Sequence, residues 1–297
     1  MKVNSPKIRI SNQVSFPLDY IKGTEEQRFA YSRRLTEDLF QKVYDLFPTK
    51  ETNLWVTKTI SVSKKIIEKK IQEILPKSLN IKISNLTYTN KHTHDESGSC
   101  YFVWTEKNGI YNIDEKGIWM PLAENKKICA DNMYILLHEF THIMDYIINP
   151  KICLREAKIS FNKTFPSDLF FKYINTDNKK FNFINKAMFN TELERYMRDL
   201  SDEQKVDILQ MMRYAIKSEI NAYSNGLNYQ TEIDRHCGID RNLKSDKQWL
   251  SEHDFDRKLI FINKKLSRTL SKTRKKQYLK TFEYKYVQKG CKNSARN

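Results

Sequence analysis

Two histidines four residues apart are the residues best suited to chemistry in this chain. His138 and His142 enclose Glu139, Phe140 and Thr141 in the run HEFTH. On a helix, positions i and i+4 lie on the same face, one turn apart, so both imidazoles can bind one Zn²⁺ ion. Glu139 directly follows the first histidine, which places its carboxylate beside the ion, where it can accept a proton from a zinc-bound water.

The flanking residues predict a helix that positions this pair. Asp131 and Asn132 favour a helix start, and Pro150 favours an end. Between them, apolar residues recur at helical spacing: Met133, Leu136, Leu137, Phe140, Ile143, Met144 and Ile147. We therefore expect a largely buried helix. The alternative interpretation is that both histidines only form hydrogen bonds in the core, although a buried Glu139 without metal or water would be costly.

A catalytic zinc site needs a third protein ligand, and Glu219 is the first candidate. Ser201 and Gln204 predict a capping box that opens a long helix. One face of this helix is apolar or small except for the glutamate: Ile208, Met212, Ala215, Glu219, Ala222 and Gly226. A carboxylate on such a face needs a positive partner, which zinc would supply. The alternative partner is an arginine or lysine at the edge of the face.

Other side chains could supply the third ligand instead. Glu192 and Glu194 follow Asn190 and Thr191, so we expect both glutamates at a helix N-terminus, where they favour the helix dipole. Glu156 is predicted to lie in a polar connection after the motif helix. Two further alternatives are Glu232 and His236.

The run from His138 to Asp145, HEFTHIMD, resembles the HEFxHxxD signature of gluzincin-type metallopeptidases such as anthrax lethal factor and Mlc titration factor A. In that family the third zinc ligand is a glutamate in an E-x-x-A context on a later helix, and the run from Glu219 to Ala222 matches this pattern. The resemblance implies one zinc ion per chain, bound by His138, His142 and Glu219, with Glu139 as the general base.

Three further residues are expected near the metal. Asp145 lies one turn beyond His142 on the same face, so we expect it to orient a ligand rather than to bind zinc. The resemblance also implies an active-site tyrosine that stabilises the oxyanion, for which Tyr223 and Tyr214 are the candidates. Tyr223 is closer to the face that carries Glu219, and both tyrosines could instead be core residues.

A small β-sheet is predicted before the motif helix. Four short segments are rich in β-branched and aromatic residues: Ile81–Thr89, Ser99–Thr105, Ile110–Ile113 and Gly117–Leu122. Asn108 and Gly109 predict a hairpin turn between two of them. We expect residues 117–121 to form the edge strand that pairs with an extended substrate, with an ordinary internal strand as the alternative.

These patterns together predict an α+β, mainly helical, zincin-like metallopeptidase fold with a small β-sheet packed over the motif helix. We expect a helical N-terminal extension over residues 1–78, a catalytic core over 79–242 and a basic helical segment over 243–297 that forms one unit with the core. In the extension, Thr24 and Gln27 predict a capping box for a helix that reaches Phe47. A second helix is predicted from Ser63 to Leu75.

The chain is strongly basic, with a formal net charge of +16. From Arg257 to Asn297 it carries 14 Lys and Arg residues against one acid, Glu283. The apolar spacing of Leu259, Ile262, Leu266 and Leu270 predicts that this segment begins as an amphipathic helix. The charge is explained by a solvated surface, by an anionic partner such as nucleic acid or a membrane surface, or by attraction of an acidic protein substrate.

The remaining features concern the cellular setting. Five cysteines, an odd number without C-x-x-C spacing, favour a reducing compartment. The N-terminus lacks the apolar region of a secretory signal, and no apolar run is long enough to span a membrane. We therefore expect a cytoplasmic protein, either of the producing cell or, by analogy with lethal factor, delivered into a host cell as a toxin or effector. His92 and His94 are expected in an exposed turn.

The sequence thus predicts a zinc endopeptidase that acts on a protein substrate. The alternative is a protein that binds nucleic acid or a partner protein, with a structural or vestigial zinc site and a basic C-terminal segment.

Overall fold

A computed structural model describes residues 23–49, 60–76, 79–85, 98–107, 110–161, 166, 169, 170, 173, 183–240 and 246–270. These residues form an α+β structure that is mostly helical with small sheets, as predicted at this level. The helices are α1 (Glu25–Tyr44), α2 (Lys64–Ile74), α3 (Met133–Ile147), α4 (Pro150–Phe161), α5 (Phe183–Met197), α6 (Asp202–Cys237), α7 (Asp246–His253) and α8 (Phe255–Thr269). The strands are β1 (Ser61–Ser63), β2 (Lys82–Asn85), β3 (Ser99–Lys107), β4 (Ile110–Met120) and β5 (Lys127–Cys129).

Both predicted capping boxes are confirmed. At the start of α1, Thr24 Oγ1 accepts a hydrogen bond from the amide of Gln27, and Gln27 Oε1 accepts one from the amide of Thr24. At the start of α6, Ser201 and Gln204 make the same reciprocal pair. Each box satisfies two amides that the first helical turn leaves without a partner, which is why these helices begin where the sequence predicts.

The motif helix α3 begins differently from the prediction. Asn132 occupies the N-cap position, but its side chain makes no capping hydrogen bond. A 3-10 turn, Ala130–Asn132, precedes the helix instead. The amide of Tyr134 donates to Gln230 Oε1 of α6 at 2.8 Å. Because α6 supplies this acceptor, the helix start is satisfied by a distant residue rather than by a local cap.

Three strands form the larger described sheet, in the order β2-β4-β3. β4 pairs antiparallel with β3, and its end, residues 117–120, pairs parallel with β2. The expectation that residues 117–121 form an edge strand is therefore wrong, since β2 returns to cover that side. β3 is the terminal strand of this sheet next to the motif helix. β1 and β5 form a separate antiparallel pair.

The predicted hairpin is confirmed by the pairing of Lys107 with Ile110, although residues 108 and 109 lie outside the described part. The two segments predicted at 110–113 and 117–122 form the single strand β4.

The sheet packs its inner face against α3. Ile83, Ile118 and Met120 point to this side and are fully buried, together with Phe140 and Ile143 of the helix. α1 and α2 contribute further buried side chains to the same core: Leu39, Phe40, Val43, Ile67 and Ile71. The motif helix is thus enclosed by apolar side chains, as its sequence predicts.

The chain divides into two compact units. The first comprises residues 1–154 and 221–246, and the second comprises residues 155–220 and 247–297. α6 is continuous through this division and contributes to both units. In the second unit, Ile262 and Leu266 of α8 are buried, as is Leu270 directly after the helix, which confirms the predicted amphipathic helix. The domain boundaries predicted at residues 78 and 242 stay predictions.

Among the helices that the structure describes, none combines the length and the apolar character needed to cross a bilayer.

Candidate metal centre

The two motif histidines present their side-chain nitrogens to each other. His138 Nε2 and His142 Nε2 are 3.0 Å apart, and the two rings are almost perpendicular. Two nitrogens bound to one tetrahedral zinc ion at the usual bond length are about 3.3 Å apart. The observed separation therefore fits two ligands of one ion, because only a small ring movement is required.

Glu219 completes a group of three donors. One donor atom each from His138, His142 and Glu219 lie within 4.8 Å of one another. Over the described residues, this is the only group of three or more His, Cys, Asp or Glu side chains that could hold a metal ion. Two imidazole nitrogens and one carboxylate oxygen are the donor set of many catalytic zinc sites, which keep a fourth position for water. The residues therefore fit zinc.

A glycine lets α6 pass close to the motif helix. A Cβ atom added at Gly226 would lie 3.3 Å from the carbonyl oxygen of Tyr134 and 3.6 Å from Cβ of His138. Ala222, one turn closer to Glu219, is fully buried. Since small residues occupy this face, the helix backbones approach and Glu219 can reach the histidines.

Gln230 ties the two helices together near the start of α3. Its Oε1 accepts from the amide of Tyr134, while its Nε2 donates to the carbonyl oxygen of Ala130 at 2.9 Å and to Asp234 Oδ1 at 2.7 Å. The side chain is fully buried. Gln230 was not among the predicted residues, although the face of Glu219, Ala222 and Gly226 continues to position 230 at the same spacing.

Glu139 is held by the beginning of strand β3. Its carboxylate Oε2 accepts a hydrogen bond of 2.7 Å from the backbone amide of Cys100 on β3. A Cβ atom at Gly98 would overlap the side chain of Ile135 and lie 3.2 Å from Cγ of Glu139. The side chain of Glu139 is thus oriented and almost fully buried next to the donor group without belonging to it.

The two candidate tyrosines differ in their surroundings. The ring of Tyr223 contacts that of His138 edge to face, with centroids 4.5 Å apart, and is half-buried. Tyr214 is fully buried in the packed core. Tyr223 therefore contacts the donor group through His138.

Asp145 has no exposed surface and accepts a hydrogen bond from Asn221 Nδ2 at 2.8 Å. Asn221 Oδ1 in turn accepts from an Nη of Arg33 at 2.7 Å. A role in orienting a ligand was predicted for Asp145, but none was predicted for Asn221 or Arg33. The sequence feature that could have indicated Asn221 is an amide side chain two positions after Glu219.

The expectation that Glu192 and Glu194 lie at a helix N-terminus is wrong. Glu192 and Glu194 lie in the C-terminal half of α5, not at its N-terminus, because this helix already begins at Phe183. Thr191 does not cap a helix; its hydroxyl donates to the carbonyl oxygen of Ala187 within the helix. Glu194 forms an ion pair with Lys265.

The other alternative ligands also lie outside the donor group. Glu156 lies within α4 rather than in a connection, and its Oε2 is buried without a hydrogen-bond partner. Burial raises the pKa of this carboxyl to about 8. His236 Nε2 bonds to the carbonyl oxygen of Phe47, and Glu232 is exposed. His92 and His94 lie outside the described residues.

Part of the basic C-terminal segment is described as α8. Arg257 forms an ion pair with Asp254, and Lys265 forms one with Glu194, so these two charges are balanced within their own unit. The residues from 271 onward lie outside the described part.

Comparisons of the chain with models of protein families, with characterised proteins and with solved structures find no match.

Proposed function

We propose that this chain is a zinc-dependent endopeptidase of the zincin type, which hydrolyses peptide bonds of a protein substrate. The observation that carries the proposal is the convergence of His138, His142 and Glu219 within 4.8 Å. Glu139 supports it, because its carboxylate lies beside this group and is fixed by the amide of Cys100.

The donor set defines what a bound ion would contribute. Zinc held by His138, His142 and Glu219 would polarise the scissile carbonyl and make a water molecule more acidic. Glu139 then acts as general base, taking a proton from the attacking water and returning it to the leaving amine. Tyr223, in contact with His138, is the proposed donor to the oxyanion.

Substrate binding is proposed at β3. β3 is the edge strand of the described sheet on the side of Glu139. An extended peptide could therefore pair with it as a further strand. Since the amide of Cys100 already bonds to Glu139, the peptide would use polar groups of β3 beyond that residue.

The metal content of the purified protein tests the proposal. Elemental mass spectrometry is applied to wild type, Glu219→Ala and Glu232→Ala after incubation with zinc and removal of the excess. We expect about one zinc per chain in the wild type and a strong loss in Glu219→Ala, which lacks one of three ligands. Glu232→Ala is the matched control, since Glu232 is an exposed glutamate of the same helix.

The outcomes separate the hypotheses. A wild type that binds no zinc contradicts the proposal and favours the alternative of a protein that binds nucleic acid or a partner. Equal zinc in Glu219→Ala would move the third ligand to another residue. Zinc binding without cleavage of any peptide in a digest-derived library would indicate a structural site.

A further inference from the structure

Asn221 makes a polar contact between α6 and α3 close to Glu219 along the helix. The two residues are separated by two positions, which corresponds to about 3 Å along the helix axis. Gln230, the other contact described above, is eleven positions away, or about 16 Å. The position of Glu219 relative to the histidines therefore depends more on Asn221 than on Gln230.

The contact itself is buried. Asn221 Nδ2 donates to Asp145 Oδ1 at 2.8 Å, and both residues are almost completely removed from solvent. Loss of a hydrogen-bond donor is costly when the acceptor that it leaves behind is buried. Asp145 is on the same helix as both histidines, so this bond joins the ligand-bearing parts of the two helices.

Arg33 determines which way the amide of Asn221 points. A guanidinium group has only donors, so the amide must turn its oxygen towards Arg33, and the observed bond is 2.7 Å long. With the oxygen on that side, the NH₂ group faces Asp145. Arg33 belongs to α1, so a third helix contributes to the arrangement.

We infer that Asn221, oriented by Arg33, is a positioning residue that fixes Glu219 for metal binding through its bond to Asp145. This inference rests on the proposed function, because it assumes that Glu219 is a zinc ligand. Residues that orient the ligands of a metal commonly change its affinity by about 10- to 100-fold when mutated. We expect effects of this size on zinc binding, independent of any turnover.

The test measures the zinc dissociation constant of the full chain by competition with a chromophoric chelator. Asn221→Ala is compared with Asn149→Ala, an equally buried asparagine just beyond α3 that accepts a bond from Ile152. Arg33→Ala is compared with Arg34→Ala, since both arginines are exposed on α1. We expect Asn221→Ala to bind zinc about 10-fold or more weakly and Arg33→Ala to be weakened in the same direction. Both controls should match the wild type.

An exchange of side chains distinguishes positioning from general stability. Asn221→Asp alone places two carboxylates together and should bind zinc weakly. The double variant Asp145→Asn with Asn221→Asp restores the hydrogen bond with donor and acceptor exchanged, and it pairs Arg33 directly with a carboxylate. We expect this variant to recover most of the affinity, and cobalt substitution should give it the absorption spectrum of the wild type.

Each result decides the question. Wild-type affinity in Asn221→Ala, or a double variant no tighter than Asn221→Asp, overturns the inference while leaving the zinc site intact. If Asn221→Ala does not fold, the exchange and the two arginine variants still decide it. A wild type that binds no zinc overturns the inference together with the proposed function.

Discussion

At the scale of single residues, the four-residue spacing of His138 and His142 is enough to bring their Nε2 atoms to 3.0 Å. Helix geometry alone does this, because residues one turn apart share a face. Glu139 differs, since its position beside the pair leaves its carboxylate free to turn. The amide of Cys100 removes that freedom.

Replacement of Glu139 by glutamine should separate metal binding from catalysis. Glutamine keeps an oxygen that can accept from Cys100, so the site should retain its geometry and its zinc. It cannot accept a proton, so we expect cleavage to fall by a factor of about 10² to 10⁴. Cleavage of a peptide library is followed by mass spectrometry, with zinc content measured on the same samples.

His138→Ala serves as the comparison, because it should lose both zinc and cleavage. Full cleavage by Glu139→Gln at normal zinc content would remove Glu139 from the role of general base.

The site residues predicted from sequence are those whose relations are local. The histidines and Glu139 lie within five positions, and Glu219 stands out as the one acid on an apolar helix face. Cys100 and Arg33 could not be found this way, because their contacts join segments far apart in the chain. A backbone donor leaves no sign in the residue type.

At the scale of elements, the helix starts were predictable wherever a side chain caps its own helix. The boxes at Thr24 and Ser201 are examples. The start of α3 was not, because its acceptor comes from Gln230 on another helix. The prediction of the edge strand was wrong for the same reason. Whether β4 is central depends on where β2 pairs, and the residue pattern of β4 carries no information about that pairing.

Removal of Gln230 should destabilise the first unit. Gln230→Ala removes the Oε1 acceptor of the Tyr134 amide and the Nε2 donor to the carbonyl oxygen of Ala130 and to Asp234. Loss of a buried hydrogen-bond partner costs about 1–3 kcal/mol, so we expect the free energy of unfolding to fall by about that amount. Urea denaturation measures the change. Asn228→Ala, an exposed position of the same helix, should change it little; an equal loss there would contradict the explanation.

At the scale of the whole molecule, stability should depend on pH through a carboxyl group that does not belong to the donor group. Burial raises the pKa of Glu156 to about 8, against an ordinary value of 4.5. The folded chain therefore keeps this proton over a range where the unfolded chain releases it. Folding is therefore more favourable at low pH, where the carboxyl is protonated in both states. The free energy of unfolding falls as pH rises from about 4.5 to about 8.

Replacement of Glu156 by glutamine should remove this dependence. The amide is neutral at every pH, so the variant should lose less stability than the wild type between about pH 5 and about pH 8. Urea midpoints at the two ends of this range give the comparison. Glu192→Gln, an exposed glutamate of the same unit, should follow the wild type. Parallel pH profiles of wild type and Glu156→Gln would show that this carboxyl is not responsible.

The bond between Glu139 and Cys100 has a consequence for how this protein can change over evolutionary time. The donor is a main-chain group, so any side chain except proline at position 100 preserves it. As far as this hydrogen bond is concerned, an alignment of descendants could therefore vary at this column while the orientation of the base stayed constant. The column two positions earlier would behave in the opposite way, since at Gly98 even one methyl group meets Ile135 and Glu139. Sequence conservation would therefore be seen at position 98, although the hydrogen bond that it protects is made by the amide of position 100.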